Sequence, residues 1–117
     1  MKRTTTILIL LLAVFSLYGQ EIVGTWSGAI DTPNGQLRIN FNISETDEGY
    51  TSTLDSPDQN AFGIAVDTTV YKKPELTIKV NQLDFLYEGT LTGENTIKGA
   101  MKQMGQNIEL NLTKKEE

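Results

Sequence analysis

The chain has 117 residues, no histidine and no cysteine, and carries a formal charge of −5 at pH 7. Those absences exclude Ser-His and Cys-His nucleophilic pairs, disulfide staples, and zinc sites built on imidazole or thiolate. The acidic balance argues against binding a phosphate backbone, so no nucleic-acid partner is expected.

Residues 1–19 read as a secretory leader: Lys2 and Arg3, a polar Thr4-Thr5-Thr6, then a nearly continuous apolar run from Ile7 to Tyr18. That run is short of the ~20 residues a bilayer-spanning helix needs, so no stable membrane span is expected once the leader is gone. Cleavage is expected after Gly19, with Ser16 as the alternative. It removes two of the ten basic residues and no acid, which leaves residues 20–117 as one domain of formal charge −7, periplasmic or secreted.

From there on the apolar residues recur with period two in eight runs, the signature of half-buried strands. Val23–Asp31 places Ile22, Gly24, Trp26, Gly28 and Ile30 on one face, with a glycine on each side of the only tryptophan. Gln36–Ser44 turns Leu37, Ile39, Phe41 and Ile43 inward, and Tyr50–Asp55 turns Tyr50 and Leu54 inward. Phe62–Tyr71 is expected to bury Phe62, Ile64, Val66 and Val70. Glu75–Asn81 follows with Leu76, Ile78 and Val80, then Asp84–Thr92 with Phe85, Tyr87 and Leu91. Thr96–Gln103 contributes Ile97, Gly99 and Met101, and Asn107–Lys115 contributes Ile108, Leu110 and Leu112.

Short turns rich in Pro, Asn, Asp and Gly join the runs, the longest link being Asp55–Ala61. No helical period interrupts them. The expected fold is therefore all-β: a small eight-stranded antiparallel up-and-down barrel with almost no helix, closed to remove its exposed edges. In such a meander the turns sort into two ends. One end collects Glu45–Gly49, Tyr71–Pro74, Gly93–Asn95 and both termini, and is charged. The other collects Asn34, Gln36, Gln59, Asn60, Asn81, Gln82, Gln103, Gln106 and Asn107.

Apolar walls with a few convergent neutral polar groups suit a small ligand or a partner, so that amide-rich end is the candidate site. Its candidate residues are Gln59, Asn60, Phe62, Gln82, Phe85, Gln103 and Met104, with Leu83 just inside. Turn chemistry alone also enriches Asn, Gln and Gly at such places. Trp26 reads as core. Asp55 and Asp58 flank Pro57 with no further ligand at metal-site spacing, and read as loop-forming. No metal and no cofactor is expected. Nor is catalysis: Gly24-Thr25-Trp26-Ser27-Gly28 is no nucleophile elbow, and the carboxylates sit in turns or outward positions rather than across a cleft.

Two resemblances attach to these residues. Gly24-Thr25-Trp26 opening the first strand of a meander resembles the G-x-W start of lipocalin-like barrels. In that family a basic side chain near the end of the last strand packs across the tryptophan, and Lys114 is the matching position. Residues 20–117 are fewer than a lipocalin has, so a filled barrel and one with a cavity both stay open. The order Glu21-Ile22-Val23-Gly24-Thr25-Trp26-Ser27-Gly28, Leu37-Arg38-Ile39, Gly49-Tyr50, Leu54-Asp55-Ser56-Pro57-Asp58-Gln59 and Gly63-Ile64 is similar to the small N-terminal β domain of secreted bacterial α/β-hydrolases of the serine-aminopeptidase or esterase type. No catalytic residue carries over, because the matching residues are those of the accessory domain. Together these observations lead us to expect an exported, non-catalytic barrel that binds a small amphiphile, a glycan or a protein at its amide-rich end. The alternative is an interaction module that docks on a separately encoded α/β-hydrolase. A purely structural envelope protein is a third reading.

Overall fold

The computed structural model describes residues 21–115, so the expected leader lies outside the described residues. They form one curled antiparallel sheet. Its strands are β1 Gly24–Thr32, β2 Gly35–Thr46, β3 Gly49–Ser56, β4 Ala61–Ala65, β5 Thr68–Lys72, β6 Glu75–Val80, β7 Phe85–Leu91, β8 Thr96–Gln103, β9 Gln106–Glu109 and β10 Leu112–Lys114. Among the described residues helix is confined to two 3-10 turns, Pro57–Gln59 and Asn81–Leu83. Neighbours run in the order β4-β3-β2-β1-β10-β8-β7-β6-β5, with β9 beside β8.

Ten strands stand where eight were expected, because two of the runs are broken. β9 and β10 hold one common register against β8, with Glu109 opposite Ala100 and Leu112 opposite Ile97. The break between β4 and β5 has a different cause. Asp67, in the middle of the expected run, donates its N–H to Lys79 O at 2.9 Å. Its carboxylate accepts the Asn81 N–H at 2.7 Å. These bonds turn the chain away from β3 and onto β6.

The inward face is otherwise the one the period predicts. Trp26, Phe41, Ile78, Tyr87, Ile97, Leu110 and Leu112 are among the buried core residues. Phe62 and Val70 correct the expectation: they are 62% and 39% exposed. The ladder between β3 and β4 slips by one residue between Ser56↔Ala61 and Leu54↔Ile64, so Phe62 and Gly63 together face Asp55. Gly63 adopts φ +66° there and donates its N–H to Asp55 Oδ1 at 2.8 Å. A bulge of this kind turns Ala61 and Ile64 inward and sends Phe62 to the outer face.

The first and last strands pair as expected, but the barrel is not closed. β4 and β5 are the two edges and share no ladder among the described residues, so the sheet curls into a half-barrel. Trp26 lies opposite Lys114 and Ser27 opposite Thr113, and Lys115 N–H bonds Thr25 O at 2.8 Å. The Lys114 ammonium sits 5.6 Å from the Trp26 ring centroid and donates to Glu21 O at 3.3 Å. The indole N–H donates to Ile22 O at 2.9 Å, which leaves the buried ring with no unmet polar atom. A cation over an indole contributes ~0.5–1 kcal/mol at a partly exposed site. Lys114→Ala is therefore expected to lower the unfolding midpoint in urea and shift Trp26 fluorescence, whereas Lys115→Ala does neither. Identical behaviour of the two variants would contradict this packing.

Beyond Ser27, β1 pairs only with β2, and β9 pairs only with β8, among the described ladders. A groove lined by Ala29, Asp31, Ile108, Glu109 and Asn111 runs between them. The sheet thus falls into two leaves, β1–β4 and β5–β10. Their polar cross-links among the described residues cluster at the charged end: the short β1–β10 ladder, Ser52 Oγ with Thr69 Oγ1 at 2.6 Å, Tyr71 O–H to Glu21 Oε2 at 3.3 Å, and Lys73 Nζ with Glu21 Oε2 at 3.3 Å. Phe41 of the first leaf packs on Phe85 and Tyr87 of the second, at ring distances of 6.0 and 5.4 Å.

Burial, with the Glu21 carboxylate beside it, pushes the Tyr71 phenol up to about 12, and burial alone raises Tyr87. An unfolded tyrosine ionises near ~10. The unfolded chain therefore sheds phenolic protons first, and stability falls as pH rises from ~10 toward the native value. Tyr71→Phe is expected to flatten that fall, measured as urea midpoint against pH. A slope unchanged by the substitution would rule out Tyr71 as its source.

Candidate functional site

At the amide-rich end the two leaves part around a cavity of about 300 Å³. From the first leaf it is lined by Ile30, Leu37, Ile39, Leu54, Ser56, Gln59, Ala61 and Ile64, and from the second by Leu83, Phe85, Met101 and Gln103. Period two explains most of the wall: β1, β2, β3, β7 and β8 contribute their terminal inward residues. The bulge at Phe62-Gly63 adds Ala61 and Ile64 to the same face.

The first 3-10 turn is fastened in place at the rim. Asp58 accepts from the Arg38 backbone N–H at 2.8 Å and from its guanidinium at 3.2 and 3.0 Å, a forked charge-assisted contact. Those hydrogen bonds hold the Asp58 carboxyl below the usual carboxylate range and raise Arg38. Asp55 works beside it, its Oδ2 accepting from Asn42 Nδ2 at 3.0 Å while Oδ1 holds the bulge. Asp58 thus ties the loop to β2, and Asp55 ties the bulge of β4 to β2. Among the described residues no group of three or more His, Cys, Asp or Glu side chains could hold a metal ion.

The polar atoms of the cavity come from three neutral side chains, Ser56, Gln59 and Gln103. Ser56 Oγ, in a buried residue, donates to Gln59 Oε1 at 2.8 Å. Gln103 Nε2 donates to Leu83 O at 3.0 Å, and so ties the second 3-10 turn to β8. No ionisable group is on the lining.

Of the residues expected here, Gln59, Phe85 and Gln103 meet on this cavity, together with Leu83. Asn60 is exposed and closes the first 3-10 turn in the left-handed conformation, and Gln82 is exposed in the second. Phe62 points outward, and Met104, 81% exposed, forms the β8–β9 hairpin turn with φ +49°. With Gly105 at φ +83° it makes a tight two-residue turn whose side chains project away from the interior. Ser56, Ala61, Ile64 and Met101 were not expected as site residues. The signal for Met101 was its phase with Ile97 and Gly99, whereas nothing in the residue pattern marks the bulge that brings Ala61 in.

A second depression, about 340 Å³, lies among Lys79, Asn81, Asp84, Leu86 and Lys102, and three of the expected site residues, Phe85, Gln103 and Met104, also border it. Lys79 and Lys102 are exposed there, and Lys102 leans toward Glu88 at 3.9 Å. The interior cavity is the better candidate because nine of its twelve lining residues are apolar and converge from both leaves. No protein-family model matches the chain, and neither a curated protein nor a solved structure does.

Proposed function

We propose that the chain is an exported, non-catalytic binding protein that takes a small amphiphile into the amide end of its barrel. The observation that carries this reading is the cavity itself: about 300 Å³, nine apolar residues, and three neutral polar ones, opening where the leaves are not laced together. That size is at the lower limit of small-molecule sites, and the composition matches them. The apolar lining favours an aliphatic ligand over a glycan.

Titration of the isotope-labelled protein with a panel of amphiphiles and glycans tests it. Amide shifts are expected to gather at Leu37, Ala61, Leu83 and Met101. Ala61→Phe, which fills the space, should abolish them, and Lys72→Ala at the charged end should leave them intact. Equal loss from both substitutions would sink the reading.

A second reading is favoured by two exposed apolar side chains at the same end, Phe62 and Met104. They suit docking on a protein, such as a separately encoded α/β-hydrolase. In that case Phe62→Ser and Met104→Ser weaken the protein complex and leave amphiphile binding unchanged.

A further inference from the structure

We infer that the cavity selects an uncharged, mainly aliphatic ligand whose polar end both donates and accepts a hydrogen bond. This rests on the binding reading above and sharpens it to a chemical class. Size comes first. About 300 Å³ is the lower end of small-molecule sites, which suits a ligand of about eight carbons with a small head.

Charge comes next. The Arg38–Asp58 pair at this end satisfies both of its charges outside the lining, and no ionisable side chain faces the space. A carboxylate or ammonium drawn in beside the apolar lining would give up part of its water and meet no counter-charge, a greater cost than placing there a hydroxyl that finds partners.

The remaining hydrogen-bonding capacity decides the head group. Gln59 Oε1 already accepts from Ser56, and Gln103 Nε2 already donates to Leu83 O. What is left on the two amides is both N–H groups of Gln59 and one of Gln103, with lone pairs on both carbonyl oxygens. An alcohol or a primary amide answers both kinds. A carboxylate answers only the donors, and an ammonium only the acceptors.

The test is calorimetric titration of the protein at pH 7 with octan-1-ol, octanamide, octanoate and octylammonium. The two neutral compounds are expected to bind at least tenfold tighter than either ion. Gln59→Glu keeps an acceptor for Ser56 Oγ but replaces the donor with a carboxylate, and should raise octylammonium to at least the affinity of the alcohol. Gln59→Met removes the donor without adding charge and should weaken octan-1-ol about three- to tenfold, the worth of one neutral hydrogen bond. Octanoate binding as tightly as octan-1-ol overturns the neutral-head inference and leaves the cavity a binding site. An octan-1-ol affinity unchanged by Gln59→Met also overturns it, because the donor is then not used. If none of the four compounds binds to protein with the dispersed amide spectrum of a folded sheet, this inference and the binding reading fall together.

Discussion

Replacing Trp26 with alanine is expected to remove about 3–5 kcal/mol, a large share of the ~5–15 kcal/mol by which a domain of this size is stable. The ring is fully buried, and its strand is laddered on both sides, to Phe41 on β2 and Lys114 on β10. The neighbouring glycines show how close the wall stands. A Cβ at Gly24 would lie 2.7 Å from Lys114 Cε, and one at Gly28 would lie 2.3 Å from Asn111 O. Strands held so tightly cannot collapse into the space an indole leaves, so both the transfer and the cavity contributions are lost. Trp26→Phe keeps an aromatic ring but takes the N–H from Ile22 O, and should cost less. Urea unfolding with an unchanged slope measures both, and a loss under about 1.5 kcal/mol for the alanine variant would contradict the role given to the ring.

The second large effect is expected at Gly99. It lies opposite Gly89, and the two glycines make a slot over which the Tyr87 ring passes to donate its hydroxyl to Leu110 O at 2.9 Å. A Cβ at Gly99 would come within 2.4 Å of Glu88 O, 2.6 Å of Tyr87 Oη and 2.7 Å of Gly89 Cα. Two of those three atoms are backbone, and cannot turn aside as the tip of a side chain does. Gly99→Val is therefore expected at or above the top of the ~1–3 kcal/mol range for overpacking, with the Tyr87 hydrogen bond lost as well. Gly93→Ala is the control: nothing stands within 4 Å of the added carbon, so its thermal midpoint should hardly move. Equal behaviour of the two variants would mean that the slot does not constrain the sheet.

Much of this architecture is legible in the residues. Period two assigns the inward face of β1, β2 and β6 to β8 without error, and the phase of Leu110 and Leu112 leads to Lys114 beside Trp26. The expectation fails where the backbone departs from a regular pleat. One extra residue at Phe62-Gly63 reverses the facing of Ala61 and Phe62, and a one-residue slip leaves no mark in hydrophobicity. Asp67 reads as an outward strand residue, yet its carboxylate is a better partner for the Asn81 N–H than for water, and it breaks the strand. The site divides for a similar reason. Meander order puts Gln59, Asn60, Gln82, Gln103 and Met104 at one end, but not on one side of the wall. Only the turn geometry puts Gln59, itself exposed at the rim, and Gln103 on the cavity lining and leaves Asn60, Gln82 and Met104 off it.

The two leaves are stitched at one end only, and that has a mechanical consequence. The stitches at Ser52–Thr69 and Trp26–Lys114 act as a pivot, Phe41 bears on the opposing rings partway along, and the far end is a pair of jaws. Eight residues of the cavity belong to one jaw and four to the other, so an occupant touches both. A ligand of the proposed kind would be the cross-brace that the backbone omits there. Its occupancy would stiffen a joint as well as fill a space, and the stabilisation would grow with the logarithm of its concentration above Kd.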